Sequence, residues 1–406
     1  MTGVAGTAAG EAMYAREVAP AARRLALDPE LGLGELEHAA KRVLPAALYH
    51  YVCGASEDGA AHDRNMRAYA GRSFFPRVMT DVTARTATTT LFGVQHPVPF
   101  GIAPMGFSRL MAPDGDVALA SAAARAGIPF ILSGASLTPM EDVKRRGGGT
   151  SWFQAYIPGE AHRIEALLDR VEAAGFDTLV VTADTAVHPK HERAARYGFR
   201  SPVRVGPALA WQAISRPAWL WRVLLKDGLA GTRLHFENMD AKQGPPVFSR
   251  TLVRDIGRRD ALSWSHLEAV RKRWKGRLVV KGVMAAEDAV TADAMGVDGI
   301  IVSNHGGRQL DCAAGALDAL ERIAQRDLSL TLMVDGGIRR GADVLKALKA
   351  GAQFVFVGRP MLLAAAVAGE AGVSEAIAIL AREVDITMAL LGITQARDIE
   401  RIEMHA

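Results

Sequence analysis

Short apolar runs alternate with amphipathic stretches along the chain from Pro99 onward. Eight of these runs have the length and composition of buried β-strands. They are Phe100–Ala103, Phe130–Leu132, Trp152–Tyr156, Thr178–Thr182, Leu278–Lys281, Gly299–Val302, Thr331–Val334 and Phe354–Val357. Between them lie stretches with the period of amphipathic helices, namely Gly115–Ala126, Ala161–Ala174, Ala285–Met295, Ala316–Arg326 and Ala342–Ala350. Alternating strands and helices predict right-handed βαβ units and therefore a parallel sheet.

Eight such units predict an α/β protein with a closed (β/α)8 barrel, also called a TIM barrel. In that architecture the catalytic side chains stand at the carboxyl ends of the strands. An open doubly wound sheet is the alternative, and it usually carries G-x-G-x-x-G after its first strand. That motif is absent after Phe100–Ala103, which favours the barrel.

Two segments depart from the alternating pattern. Residues 1–35 are rich in Ala and Gly without a clear period, so we expect a loose extension before a barrel domain of residues 36–406. Helical spacing begins near Leu33 and continues to Tyr51. Residues 185–263, between the fourth and fifth strands, are too numerous for an ordinary βα loop, and this insertion is expected to be a lid or a docking element.

The insertion carries Trp211, Trp219 and Trp221 in a basic and apolar part, residues 201–245. One interpretation is a helix that packs these tryptophans on the barrel, since Trp is usually well buried. The other is an interfacial helix in residues 216–226, with Trp and basic side chains at the headgroups of a membrane, where a quinone could be met. The sequence leaves both interpretations open.

Composition narrows the class of protein. The 406 residues suffice for one large barrel or two ordinary domains. Lys and Arg number 48 against 44 Asp and Glu, and the resulting charge of +4 is spread along the chain, so we expect no nucleic-acid partner. The two cysteines, Cys53 and Cys312, show neither disulfide nor metal spacing, which indicates a reducing compartment and no metal site.

The sequence also bears on location. Residues 1–10 lack the basic and apolar parts of a signal peptide. The longest uncharged apolar run, Pro360–Gly369, stops at Glu370 after ten residues, which is too short to span a bilayer. We therefore expect a cytoplasmic protein, with peripheral attachment to the inner face of a membrane if the insertion binds there.

The candidate catalytic motif is Ser303-Asn-His-Gly-Gly-Arg-Gln-Leu-Asp311, directly after the sixth strand. His305 is suited to accept a proton near neutral pH. Arg308 offers a planar, permanent cation for a carboxylate, and the glycines allow the backbone to approach a flat ligand. A surface loop with a solvated His and Arg is the alternative, which the clustering at a strand end disfavours.

Two glycine-rich turns follow the last two strands: Asp335-Gly-Gly-Ile-Arg-Arg-Gly341 and Gly358-Arg-Pro360. Barrels commonly bind phosphate at these turns through backbone N–H groups. Arg339 and Arg359 would add charge-assisted hydrogen bonds. Two tight βα turns without a ligand are the alternative, but one Arg in each turn favours phosphate.

Other polar residues lie at strand ends. Lys281 ends an apolar strand and needs a negative partner, either an anionic ligand or an acidic side chain on a neighbouring strand. Gln154 and Tyr156 share one face of the third strand, and Thr182 and Asp184 stand at the end of the fourth. Asp184 could accept the ring N–H of His305; a helix-capping role is its alternative.

These motifs together resemble the FMN-dependent 2-hydroxy-acid oxidase and dehydrogenase family, which includes glycolate oxidase and lactate and mandelate dehydrogenases. The resemblance runs from about Leu44 to Met404. It implies FMN as cofactor, a 2-hydroxy acid as substrate, a 2-oxo acid as product, and transfer of the electrons to a quinone-type acceptor or O2. It also implies a homo-oligomer, commonly a tetramer.

The resemblance assigns roles residue by residue. His305 is implied as the base, Asp184 as its orienter, and Tyr51, Tyr156 and Arg308 as substrate ligands. The implied FMN ligands are Pro104, Met105, Gly106, Ser133, Gln154, Thr182, Lys281, Ser303, Asp335, Gly336, Gly337, Arg339, Gly358 and Arg359.

The sequence departs from the family pattern at three positions. A second substrate-binding Arg usually follows the strand-four Asp, and here His191 matches it; Lys190 or Arg193 could substitute. Ala135 replaces a bulky aromatic of glycolate oxidase, which favours a larger or aryl substrate. Gly106 stands where efficient oxidases commonly have Ala, which favours an acceptor other than O2.

Two other functional hypotheses remain at this point. One is an FMN-barrel isomerase, or another flavin enzyme, that shares only the phosphate-binding loops. The other is a non-catalytic flavin scaffold that the insertion recruits to a membrane. Neither would require the pair His305 and Arg308, and this pair favours the hydroxy-acid enzyme.

Overall fold

The computed structural model describes residues 32–200, 203, 206–225, 234–248 and 257–405. Eight parallel strands close into a barrel in sequential order. The strands are β1 (Phe100–Ile102), β2 (Phe130–Ser133), β3 (Ser151–Ala155), β4 (Thr178–Thr182), β5 (Arg277–Val283), β6 (Gly299–Val302), β7 (Thr331–Asp335) and β8 (Phe354–Val357). The predicted barrel is confirmed, and every predicted strand lies within two residues of its observed bounds.

Helices precede and surround the barrel. They are α1 (Glu35–Val43), α2 (Ala46–Val52), α3 (Ala60–Ala70), α4 (Ser108–Met111), α5 (Gly115–Arg125), α6 (Met140–Gly147), α7 (Ala161–Ala173), α8 (Glu192–Arg196), α9 (Pro207–Ile214), α10 (Pro217–Trp219), α11 (Trp264–Arg273), α12 (Ala286–Ala294), α13 (Ala316–Ile323), α14 (Gly341–Lys349) and α15 (Arg359–Leu391). All five predicted barrel helices occur, because their apolar faces pack on the strands.

The predicted helix from Leu33 to Tyr51 is wrong in one respect, because the structure divides it into α1 and α2. Pro45 has no backbone N–H and disfavours the helical conformation of the residue before it. Leu44 is accordingly extended, with φ −88° and ψ 146°. Leu33 is buried in the core, whereas residues 1–31 of the predicted extension lie outside the described residues.

The barrel interior is filled with apolar side chains, and one end is covered. A hairpin of two short strands, Thr89–Leu91 and Val94–His96, packs on the amino ends of the barrel strands. Its Phe92 ring lies 5.7 Å from the ring of Trp152, and Arg277 donates a hydrogen bond to the Phe92 carbonyl. The carboxyl ends of the strands stay open, so the accessible site lies there.

The described part of the insertion contains α8, α9, α10 and a π-helical turn, Leu220–Leu225. Trp219 is buried, and its indole N–H donates to the Leu110 carbonyl at 2.8 Å. Trp211 and Trp221 are 70% and 55% exposed. Packing on the barrel is therefore right for Trp219 and wrong for the other two, since α9 has no buried residue with which to dock Trp211.

Among the described residues, one helix is long and apolar enough to cross a membrane by length and composition, namely α15. The sequence prediction ended this apolar stretch at Glu370, but the helix continues to Leu391. Its backbone leaves helical geometry at Ala368 and Gly369. Since 56% of its most apolar window is buried inside the protein, the helix has the character of a core element.

Candidate active site

One open pocket of about 860 Å³, including its mouth, lies at the carboxyl ends of the strands. The predicted site residues that line it are Tyr51, Pro104, Met105, Gly106, Tyr156, Lys281, His305, Arg308, Asp335, Gly336, Gly337, Arg339, Gly358 and Arg359. The other predicted residues do not line it, and these are Ser133, Gln154, Thr182, Asp184, His191 and Ser303.

His305 and Asp184 form a hydrogen-bonded pair beside the pocket. The imidazole Nδ1 donates to the two carboxylate oxygens at 3.1 and 3.2 Å. Because Nδ1 carries the proton, Nε2 is the nitrogen that can accept one. Burial alone would raise the pKa of Asp184, but the neighbouring His305 and Lys281 outweigh burial and lower it. Asp184 is therefore an ionised partner for an imidazolium.

Two backbone features hold this pair. His305 has φ 58°, a left-handed conformation that is uncommon for a residue with a side chain. The Ser303 hydroxyl accepts the His305 backbone N–H at 3.0 Å and supports this conformation. Opposite, a Cβ at Gly282 would lie 2.7 Å from the Asp184 side chain, so glycine is required for the carboxylate to approach.

Arg308 lines the pocket and contacts the carboxyl end of α2. Its Nη1 donates to the carbonyls of Tyr51 and Gly54 at 2.6 and 3.1 Å. Its guanidinium carbon lies 4.6 Å from the centre of the Tyr51 ring, a cation–π contact. The bonds that the described residues make to Arg308 use Nη1, which leaves the rest of the planar group to a ligand.

His191, the predicted replacement for the second substrate cation, does not line the pocket. Its Nε2 donates to the Arg308 carbonyl at 3.0 Å. Burial, and then the charge of Arg308, lower the pKa of His191 to about 4, so this imidazole is neutral near pH 7. The two other candidates are engaged elsewhere: Lys190 pairs with Glu192 in solvent, and Arg193 donates to His50.

Arginine side chains gather at the predicted phosphate turns. Arg359 donates to the carbonyls of Val52, Gly54 and Gly306. Burial, and then the charges of Arg308 and Arg339, lower its pKa to about 9. Among the described residues, Arg308, Arg339 and Arg359 make one ion pair, a long one from Arg339 to Glu37 at 3.8 Å. A bound phosphate would relieve this excess of buried positive charge.

Lys281 has the acidic partner that the sequence left open. Its ammonium group lies 3.0 Å from Asp335 and 2.9 Å from the Ser303 hydroxyl. That hydroxyl in turn donates to Asp335 at 2.5 Å. Lys281 and Asp335 also line the pocket, so the ion pair holds the ammonium group where a ligand can meet it.

Two of the buried polar atoms that have no hydrogen-bond partner among the described residues lie at the carboxyl ends of β3 and β4: Gln154 Nε2 and Thr182 Oγ1. The Gln154 carbonyl oxygen is satisfied by the Ser133 hydroxyl at 3.1 Å. Buried polar atoms are rarely left unpaired in folded proteins, so these two atoms suit a polar ligand bound at the strand ends. A flavin ring carries carbonyl and imide groups along one edge and suits both atoms. Together with the arginine cluster, the site fits FMN.

Sequence reasoning missed residues that hold the catalytic loop in place. Asn65 in α3 exchanges two hydrogen bonds with Asn304, at 2.7 and 2.9 Å. His62 lies against Arg359 at 3.3 Å, and Ile338 and Leu362 line the pocket. None of these residues belongs to a periodic pattern or a motif in the sequence. The one signal was the polar Asn304 next to His305, which indicates that a polar partner exists.

Comparison with known proteins agrees with this geometry. The L-lactate dehydrogenase of Caulobacter vibrioides is 36% identical over 373 residues, which cover 91% of this chain and 95% of that protein. The structure is similar to that of a monotopic membrane protein, (S)-mandelate dehydrogenase, with a TM-score of 0.83 and 31% identity over 92% of this chain and 98% of the other.

A structure of mandelate oxidase with (S)-2-phenylpropionate is also similar, with a TM-score of 0.76 and 32% identity over 92% of this chain and 98% of that one. The family model described as FMN-dependent dehydrogenase matches residues 40–405. The match includes the His305 motif and both phosphate turns. The chain therefore belongs to the FMN-dependent dehydrogenase family.

Proposed function

We propose that this protein oxidises a 2-hydroxy acid to the 2-oxo acid with FMN as its cofactor. The observation that carries the proposal is that His305, with its Nε2 free to accept a proton, and Arg308 open into one pocket together with the arginine cluster. An FMN-barrel isomerase that shares only the phosphate loops is the weaker hypothesis, because the family match spans residues 40–405.

The side chains divide the work of binding and proton transfer. Arg308 would bind the substrate carboxylate with the part of its guanidinium that faces the pocket. The hydroxyls of Tyr51 and Tyr156 would hydrogen-bond the substrate, whose hydroxyl would then lie near His305. His305 Nε2 would take a proton, and Asp184 would stabilise the resulting imidazolium. FMN, when bound, supplies the two-electron redox chemistry.

The test is a screen of hydroxy acids without oxygen. FMN-loaded protein is mixed with lactate, mandelate and longer 2-hydroxy acids, and the visible flavin absorbance is followed. We expect at least one acid to bleach the flavin, and His305→Gln to slow bleaching roughly 10²- to 10⁴-fold while retaining FMN. If dithionite bleaches the flavin but every hydroxy acid fails, the proposed substrate class is wrong.

We further propose an aryl or otherwise bulky substrate and an acceptor other than O2. Gly106 lines the pocket, and Ala135, which packs against Gly106, stands where glycolate oxidase has a bulky aromatic, so no large side chain of this chain occupies that side of the site. The similarity to mandelate dehydrogenase and oxidase supports this size. Mandelate should therefore bleach the flavin faster than lactate, and a quinone analogue should reoxidise it faster than air.

We also propose peripheral attachment to the inner face of a membrane through the exposed part of the insertion. Trp211, Ile214, Trp221 and Leu225 are exposed, next to the basic Arg222. Exposed Trp with basic neighbours is typical of interfacial segments. The membrane protein to which this chain is similar supports the proposal.

Sedimentation with vesicles that contain anionic lipid tests the attachment. We expect the wild type to sediment and the double variant Trp211→Ser/Trp221→Ser to stay in solution with its FMN retained. Val187→Ser, at an exposed position outside this surface, is the control. Equal sedimentation of the double variant and the control would refute the attachment.

A tetramer, proposed from the family resemblance, is tested by light scattering.

A further inference from the structure

The pocket lacks a second cation at the position where the family pattern has one. His191 occupies that position and is neutral near pH 7. Its Nε2 donates a hydrogen bond to the carbonyl of Arg308. Lys190 and Arg193 are committed to Glu192 and His50. If a second positive charge assists substrate binding, it has to come from another element.

A guanidinium does approach the pocket from the end of the insertion. Arg259 begins a short 3₁₀ turn, Arg259–Ala261, and is only 5% exposed. Its guanidinium carbon lies 4.7 Å from the centre of the Tyr156 ring. Tyr156 lines the pocket, whereas Arg259 does not. Arg259 can therefore act on a bound substrate only indirectly, through the Tyr156 side chain.

The backbone around Arg259 is packed closely enough to fix its position. A Cβ at Gly159 would lie 2.3 Å from the Arg258 carbonyl oxygen. A Cβ at Gly257, which has φ 67°, would lie 2.8 Å from Pro158. The segment that carries Arg259 therefore rests directly on the loop that follows Tyr156.

The contact has two physical consequences. A cation on the face of an aromatic ring is attracted by the ring quadrupole, and more strongly when water is excluded. This attraction restricts the orientation of the Tyr156 ring. A positive charge next to a phenol also makes its hydroxyl a stronger hydrogen-bond donor, because the charge stabilises electron density on the oxygen.

We propose that Arg259 replaces the second cation as a positioning residue, holding Tyr156 and strengthening the hydrogen bond that its hydroxyl donates to the substrate. The inference rests on the proposed hydroxy-acid oxidation. It makes the insertion part of the substrate site, and it explains how the chain tolerates a neutral His191.

The test measures anaerobic flavin bleaching by mandelate, which gives a substrate dissociation constant and a limiting rate. We expect Arg259→Met to raise the dissociation constant roughly 5- to 30-fold with a smaller change in the limiting rate. Arg259→Lys should recover part of the affinity, because it keeps the charge and loses the planar face. Arg258→Met, the exposed neighbour, is the matched control and should behave as the wild type.

A combination with Tyr156→Phe tests whether the effect passes through the hydroxyl. In that background Arg259→Met should weaken mandelate binding by much less than in the wild type. FMN content and melting temperature report folding, and if Arg259→Met does not fold, Arg259→Lys in both backgrounds gives the same comparison. An unchanged dissociation constant in Arg259→Met, or the same loss of affinity in the wild-type and Tyr156→Phe backgrounds, overturns the inference alone. If mandelate and every other hydroxy acid fail to bleach the wild type, the proposed function falls, and the inference falls with it.

Discussion

At the scale of single residues, the site depends on unusual backbone conformations and on glycines that allow neighbouring groups to approach closely. His305 takes a left-handed backbone conformation, and such strain is commonly found where the surrounding structure fixes a functional side chain. Because Gly282 has no Cβ, the Asp184 side chain can pack against it, and Ala135 packs against Gly106 in the same way.

The motif made His305 and Arg308 predictable, because both follow a buried strand directly. The neutral state of His191 was not predictable, since it follows from burial and from the charge of Arg308.

Asp184→Asn should slow flavin bleaching by the hydroxy acid roughly 10²- to 10⁴-fold. The amide can keep a hydrogen bond to His305 Nδ1, but it carries no charge to stabilise the imidazolium. FMN content should stay at the wild-type level, because the hydrogen bonds of the Asp184 carboxylate go to His305, and Asp184 is not among the residues that would hold FMN. Stopped-flow absorbance measures the rate, and Asp169→Asn, at an exposed position, is the control. A rate within threefold of wild type, an order-of-magnitude criterion, would contradict the role of the carboxylate.

Gly106→Ala should also impair the site, for a steric reason. A Cβ at position 106 would lie 2.8 Å from the Ala135 Cβ, closer than real Cβ contacts allow. The loops after β1 and β2 must then move apart, and the flavin side of the pocket moves with them. We expect slower bleaching by mandelate in the single variant and recovery in Gly106→Ala/Ala135→Gly. The absence of recovery would show that the clash is not the cause.

At the scale of elements, the repeating strands and helices of the barrel could be predicted from the sequence, whereas the side-chain contacts between distant elements could not. The strands could be predicted because each is a short run of buried apolar residues. Asn65 in α3 contacts Asn304 from 239 positions away, and no local pattern marks such a pair. Arg259 escaped prediction for the same reason, since its contact with Tyr156 joins the insertion to the residue that follows β3. The two exposed tryptophans were misjudged because a residue type alone does not show which side of a helix has a surface to pack on.

Asp116 in α5 connects the loops after β1 and β2 and predicts a pH dependence of stability. Thr138 donates to one carboxylate oxygen at 3.1 Å, and Asp116 is only 1% exposed. Burial raises the pKa of Asp116 from 3.8 to about 6. Between these values the native state binds more protons than the unfolded chain, so the free energy of unfolding falls as the pH rises.

Asp116→Asn should remove this decline, because the amide does not titrate. Relative to wild type, the variant should gain up to about 3 kcal/mol of stability between about pH 4 and about pH 8. Denaturant unfolding at both pH values measures the gain, and Asp327→Asn, at an exposed position, is the control. A constant difference between variant and wild type at the two pH values would contradict the raised pKa.

At the scale of the whole molecule, the barrel sets opposite demands on its two ends. The hairpin around Phe92 covers the amino ends with apolar contacts, which closes the core. The carboxyl ends instead collect three arginines, of which Arg359 has a pKa lowered to about 9 by burial and by its charged neighbours. The chain as a whole carries only a small positive charge, so the excess of positive charge is confined to this end of the barrel. Stability should therefore depend on what binds at this end.

Removal of FMN should lower the melting temperature, and inorganic phosphate should restore part of the loss. A ligand that binds only the native state stabilises it by about 2.7 kcal/mol at a hundredfold excess over its dissociation constant. Phosphate should act by neutralising Arg339 and Arg359, so Arg359→Met should weaken its effect on the cofactor-free protein. Chloride at matched ionic strength is the control for general screening of charges, because screening does not require a specific anion-binding site. If chloride stabilises the cofactor-free protein as much as phosphate does, or if Arg359→Met keeps the full phosphate effect, the arginine cluster is not the anion site, and the charge excess there has another cause.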